Sequence, residues 1–238
     1  MPDHVPLQFY GEALPGIDTS ELQGKLIVIE GPDAVGRTTQ VTQLRLWLEH
    51  KGHAVIDTGM ARSALAGKGI QQAKEGNTLA PLTMTLFYTT DFADRLENEI
   101  VPALRAGFVV LTDRYIFSIM ARAIARGWDP QCIADVAGFA LVPHAVYYLR
   151  TEVNDLVSRV VLGRGAFDYW ESGMDMRFGK DMHDSFVKYQ ALLIRALDRM
   201  VKPYDFEVID ASRAPDAIFK DLQKRIGRLF DMQTKKPR

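Results

Sequence analysis

The chain has 238 residues, 47% of them hydrophobic and 25% charged, with a formal net charge of −1. That length suits one domain with a sizeable core, and the near-neutral charge argues against the broad basic surface that nucleic-acid binding needs. The single Cys132 rules out an internal disulfide, the five histidines have no metal-ligand spacing, and no apolar run approaches a membrane span. No signal peptide is evident, so a cytoplasmic location is expected.

Residues 1–24 carry Pro2, Pro6 and Pro15 without hydrophobic periodicity and read as an N-terminal arm. Lys25-Leu-Ile-Val-Ile29 then reads as a buried strand. It runs into Gly31-Pro-Asp-Ala-Val-Gly36-Arg37-Thr38-Thr39, which has P-loop spacing with arginine in the usual lysine position. Val41, Leu44 and Leu48 follow on one helical face, so the motif lies between a strand and a helix as it requires. Further strands are expected at 54–58, 108–112, 145–149 and 206–210, each short and nearly continuous in apolar character, as strands buried on both faces are. Between them, Phe92, Leu96, Ile100 and Leu104 recur every four residues; Leu193, Leu197 and Val201 mark another helix, and Ile218, Leu222, Ile226 and Leu229 a last one. Alternating strands and helices imply an α/β fold, a five-stranded parallel sheet with helices on both faces. A single domain is expected over 25–230, followed by a basic tail over 231–238.

In such sheets ligands bind at the carboxyl ends of the strands. The loop glycines Gly31 and Gly36 let backbone N–H groups wrap an anion, aided by the dipole of the helix behind them. With them, Asp33, Val35, Arg37, Thr38 and Thr39 make up the donor-nucleotide candidates. Thr38 is placed to ligate magnesium, and Asp113, at the end of the 108–112 strand, is its natural carboxylate partner. Arg37 keeps the charge of lysine and offers a planar fork for phosphate, but it is bulkier. It either clamps the β- and γ-phosphates or binds nucleotide while crippling transfer. Arg114, next to Asp113, can grip a phosphate. Arg159 and Arg164 lead into a glycine-containing stretch and suit a lid that closes over transferring phosphates, or else a solvated helix end.

Together these residues resemble the thymidylate kinases. The resemblance rests on Ile29-Glu-Gly-Pro-Asp33-Ala-Val-Gly-Arg-Thr-Thr-Gln40, on Leu86-Phe-Tyr-Thr-Thr-Asp91, and on Asp113-Arg-Tyr-x-x-Ser118. The lid stretch Arg164-Gly-Ala-Phe with Tyr169-Trp-Glu171 also fits, and the likeness spans 25 to about 230. It implies a P-loop NTPase fold with a lid segment, ATP and Mg²⁺ as cofactors, transfer of phosphate to thymidine monophosphate, and a homodimer. It also implies that Asp33 approaches the acceptor or its magnesium environment, that Arg114 holds the acceptor phosphate with Ser118 in the same element, and that Tyr88 or Phe87 stacks on the base. Three departures fall on the acceptor side. Phe92 stands where the family reads the base with arginine, leaving Arg95 one turn on as a substitute or Phe92 as a plain core residue. Arg122 and Ala123 replace a tyrosine-glutamine pair, and Thr58-Gly-Met-Ala-Arg62-Ser63 replaces the family's Thr-Arg-Glu-Pro, with Arg62 a substitute phosphate contact. The alternatives are a kinase of another phosphorylated acceptor and a nucleotide-binding module without kinase activity.

Overall fold

The strands are β1 (Lys25–Glu30), β2 (Val55–Gly59), β3 (Val109–Asp113), β4 (Ala145–Arg150) and β5 (Phe206–Asp210), all parallel in the order β2-β3-β1-β4-β5. The computed structural model describes residues 6–76 and 80–231. Each strand lies within one residue of its expected position. Parallel strands require crossovers, and nine α-helices supply them among the described residues: α1 (Arg37–His50), α2 (Gly67–Glu75), α3 (Pro81–Arg95), α4 (Val101–Arg105), α5 (Ile116–Ala125), α6 (Pro130–Val136), α7 (Val153–Gly163), α8 (Met182–Met200) and α9 (Pro215–Asp231).

The continuous apolar strands serve two cores. Leu26 and Val28 of β1, with Val110, Val146 and Tyr148, face the larger core, which α3, α5 and α8 close with Phe92, Phe117, Tyr189 and Leu193. Ile27, Ile29, Leu111, Tyr147 and Leu149 face the other side, under Leu44 of α1, Leu156 of α7 and Leu222 of α9. Successive residues of a strand point to opposite faces, so a sheet covered on both sides is apolar along its strand centres and carries its polar residues toward the ends, as Glu30 of β1 and Asp113 of β3.

The four-residue repeat of Phe92, Leu96, Ile100 and Leu104 is not one plain α-helix. α3 passes into a π-helical turn, Leu96–Ile100, and then α4. On a 3.6-residue helix a strict four-residue repeat gains about 40° per step, and the wider turn offsets that drift. All four side chains stay fully buried. Of the N-terminal arm, residues 1–5 lie outside the described residues. From Leu7 it packs: Phe9 bridges Leu141, and Tyr10 meets Phe117 and Tyr204 edge-on. The expected basic tail, beyond Asp231, also lies outside the described residues.

Candidate active site

β1 lies between β3 and β4, so its carboxyl end opens where the sheet's winding reverses, the usual ligand crevice of such folds. The loop that follows turns sharply under Leu149. A Cβ on Gly31 would stand 2.7 Å from the Leu149 carbonyl oxygen, so only glycine fits. Gly36, at φ +97°, sets up the first turn of α1. That helix has no side-chain cap, and its first amides remain free for an anion. Beside them the Thr38 hydroxyl donates to Asp113 Oδ2 at 2.6 Å. β1 and β3 are paired in register at Ile29 and Asp113, which brings the carboxylate there. A hydroxyl and a carboxylate suit a magnesium ion whose remaining ligands are water and phosphate oxygens.

Arg37 does not extend into this space as a free cation. Its Nε donates to Asp113 Oδ1 at 2.8 Å, and its Nη1 donates to the carbonyls of Gly31 and Pro32. Only 7% of the residue is exposed. The fork therefore staples the start of the loop to the end of β3. Burial, with the like charge of Arg114, lowers the Arg37 pKa, against the pull of Asp113 and Asp33. Burial would raise Asp113, but Arg37, Arg114 and the Thr38 hydroxyl outweigh it and hold this acid below its ordinary value.

A second charged cluster is built on Asp33, which is fully buried. Its carboxylate accepts from Arg114, from Arg122 at 2.9 and 3.0 Å, and from Gln190 Nε2 at 2.9 Å. Burial opposes ionisation, yet the two guanidiniums win and keep Asp33 well below the usual carboxylate range. They gain in turn: the Asp33 charge outweighs burial and raises both Arg114 and Arg122. Arg114 sits at φ +76°, a left-handed conformation that is strained for a side-chain-bearing residue. Glu30 holds that turn. This buried carboxylate accepts from Gly31 N (3.2 Å), Tyr115 N (2.7 Å), Ser118 N (3.2 Å) and Ser118 Oγ (2.8 Å). Burial raises the Glu30 pKa, offset in part by the Tyr115 N–H and Arg37.

Arg37, Thr38 and Asp113 of the first cluster and Arg114 of the second line one cavity of about 360 Å³, together with Arg159 and Arg164. Arg164 reaches Glu171 at 2.6 Å, while Arg159 bridges the Val35 and Ala211 carbonyls. Arg159, Gly36 and Thr39 also border a mostly apolar slot of about 240 Å³ closed by Pro215 and Ile218. On the other side of the lid, Asp168, Tyr169 and Trp170 line a space of about 540 Å³ with Ile70 and Lys74 of α2. Trp170 Nε1 pins this segment to the Lys74 carbonyl. A larger cavity, about 750 Å³, lies between the arm and α6, away from these charged groups.

The remaining candidates are placed elsewhere. Arg62 is turned onto Asp57 at 3.2 Å and is not among the residues lining the phosphate cavity. Phe92 is wholly buried, edge-on to Tyr115 at 4.9 Å between ring centroids. Arg95 is buried beside it, donating to Asp91 (3.1 Å) and Thr58 (3.4 Å), and its Nη2 has no partner. Asp91 in turn accepts from the backbone of Ala61 and Ser63, so this pair braces the loop after β2. Tyr88 belongs to the larger core, and Ser118 is spent on Glu30. Residue reasoning assigned no role to Glu30 or Gln190. The signal for Gln190 was a lone amide among Phe186, Tyr189, Leu193 and Leu197, all on the buried side of α8.

Comparison with known proteins agrees with this geometry. The family model for thymidylate kinase matches residues 29–221. A probable thymidylate kinase 2 of Saccharolobus solfataricus is 30% identical over 211 residues, spanning 88% of this chain and 99% of that protein. A thymidylate kinase of Bifidobacterium longum is 31% identical over 218 residues, spanning 87% and 100%. A probable thymidylate kinase of Thermococcus gammatolerans is 34% identical over 146 residues, spanning 58% and 70%.

Proposed function

Because the chain belongs to the thymidylate kinase family, we propose that it transfers the γ-phosphoryl group of ATP to thymidine monophosphate, giving ADP and thymidine diphosphate. The observation that carries this reading is that the P-loop and the Arg114 guanidinium border one cavity. Donor and acceptor phosphates can therefore meet there in line. An acceptor phosphate oxygen bonds the γ-phosphorus as the bond to the β,γ-bridging oxygen breaks, and ADP keeps that electron pair.

The chain's residues position and neutralise, which is most of what phosphoryl transfer asks of a protein. The free amides at the start of α1 hold the donor phosphates. Arg164 lies over them from the lid, where charge grows in the transition state. Arg114 and Arg122, preset by Asp33, hold the acceptor phosphate. Arg37 keeps the loop and Asp113 in place. When bound, magnesium would neutralise the β- and γ-oxygens, and the Thr38 hydroxyl and Asp113 carboxylate are the groups to hold it. The apolar slot by Pro215 takes the donor base. Such chemistry belongs in the cytoplasm, where ATP and nucleoside monophosphates are held. Among the described residues no helix is long and apolar enough to cross a membrane.

A homodimer is supported by Leu82 (56% exposed), Leu86 (45%) and Phe87 along one side of α3, an apolar stripe suited to a second copy. Light scattering at micromolar concentration should give twice the chain mass, and Leu86→Glu should give monomer. A wild-type monomer would remove the dimer.

The acceptor is tested by ADP release across the common nucleoside monophosphates with magnesium and ATP. Thymidine monophosphate should turn over best. A second reading, another phosphorylated acceptor, is favoured by the burial of Phe92 where a base-reading arginine is expected. Turnover far above that of thymidine monophosphate on another acceptor would establish it.

A further inference from the structure

Gln190 lies in the middle of α8 with no exposed surface, and every polar atom of its side chain is used. Its Oε1 accepts from Asp33 N at 3.1 Å. Its Nε2 donates to Asp33 Oδ2 at 2.9 Å and to the Glu171 carbonyl at 2.7 Å. The Asp33 amide and carboxylate fix which end of the side chain is oxygen, because reversing it would set donor against donor and acceptor against acceptor. One amide thus joins the phosphate loop, the lid and α8.

The two ends of this bridge bear on the reaction differently. Asp33 orders Arg114 and Arg122. Glu171 is the partner of Arg164, and both border the phosphate cavity. A buried helix residue thereby sets how far the lid arginine stands from the acceptor-side arginines. Among the described residues, one other side-chain hydrogen bond runs from α8 to the lid backbone, and it is of a different kind. Ser185 Oγ donates to the Ser172 carbonyl at 2.7 Å, one residue beyond Glu171, and makes no contact with the P-loop.

We infer that Gln190 is a positioning residue for phosphoryl transfer, tethering the lid segment at Glu171 to the P-loop at Asp33 so that Arg164 is held over the donor phosphates. The inference rests on the kinase reading. It adds a residue that touches neither substrate and acts through the lid. A tether of this kind contributes to placement in the closed state more than to binding of either nucleotide, so its loss should fall on kcat.

The test compares Gln190→Met with Ser185→Ala, which removes a lid contact of similar burial and leaves the P-loop alone. In the kinase assay Gln190→Met should lower kcat by about tenfold or more, the scale of one buried hydrogen-bonded group lost. Both KM values should move less than about threefold, and Ser185→Ala should leave kcat within about twofold. Gln190→Asn, which keeps a neutral amide but is one methylene too short to span Asp33 and Glu171, should show the same kcat loss and covers a methionine variant that fails to fold. Amide exchange gives a second readout that needs no activity. Gln190 variants should exchange faster in both 31–36 and 168–173, and Ser185→Ala in the lid alone. A kcat loss no larger than that of Ser185→Ala, or an effect confined to KM, would overturn the inference. So would loosening of the lid with the P-loop unchanged. If the wild type phosphorylates no nucleoside monophosphate, the functional reading fails, while the exchange pattern still decides the tether.

Discussion

Replacing Arg37 by lysine restores the usual P-loop residue and should harm the protein. The arginine fork makes three contacts at once, one to Asp113 and two to the carbonyls of Gly31 and Pro32. A lysine ammonium ends near the position of the guanidinium carbon and can serve one side of that arrangement, either the carboxylate or the carbonyls. The substitution therefore forfeits at least one hydrogen bond involving a charged group, in a pair whose side chains are 7% and 10% exposed. Such a bond contributes about 1.5–3 kcal/mol. Taking about 2 kcal/mol, Tm should fall by roughly 4–8 °C for a domain of this size. If the same energy is missing in the transition state, kcat/KM should fall about 30-fold. Circular dichroism melting reads the first quantity and coupled ADP release the second. Arg37→Met, which leaves Asp113 without its cation, should cost more, about 3–5 kcal/mol. A lysine variant with wild-type or higher kcat/KM would refute the reasoning, because it would make the arginine a defect in an ordinary loop.

Two further outcomes follow from the acceptor side. Asp33→Asn should destabilise the protein by about 3 kcal/mol near neutral pH, since Arg114 and Arg122 lose their shared carboxylate. The folded Asp33 pKa lies below its ordinary 3.8, so its contribution is complete above that value and is lost as pH falls toward the folded one. The gap between wild type and variant in urea unfolding should therefore shrink by about 1 kcal/mol between pH 7 and pH 3, and a constant or widening gap would count against this assignment. Phe92→Arg, which writes the family's base-reading residue back in, should cost at least about 3 kcal/mol, because a cation would be buried among Tyr115 and Phe139. It should bring no improvement in acceptor KM. A stable variant with a lowered KM would show that this position opens onto the base after all.

What could be read from the chain divides along the line between local and long-range causes. The strands were visible because a strand buried on both faces must be apolar throughout, and the P-loop because its spacing is a local property of one turn. Asp113, Arg114 and the lid arginines could be named because each adjoins an element whose end is visible in sequence. Their contacts could not. Nothing near residue 37 tells that its side chain will be spent on Asp113, 76 residues on, since that follows from the β1–β3 register. Arg62 looked available for phosphate because its neighbour in space, Asp57, lies at the other end of a turn that sequence does not draw. Phe92 and Arg95 sit three residues apart, so one helical face carries both into the interior, and a stripe of period four cannot separate a core position from a pocket wall. Glu30 and Gln190 were the hardest to foresee. Each is a polar residue on an apolar stripe with its decisive partners far along the chain, Tyr115 and Ser118 for Glu30, 85 and 88 residues on, and Asp33 for Gln190, 157 residues back. A buried, uncompensated polar group would be costly, so a lone glutamine on the inner face of an otherwise apolar helix already implies partners. For Gln190 the fold shows those partners to be the P-loop aspartate and the lid.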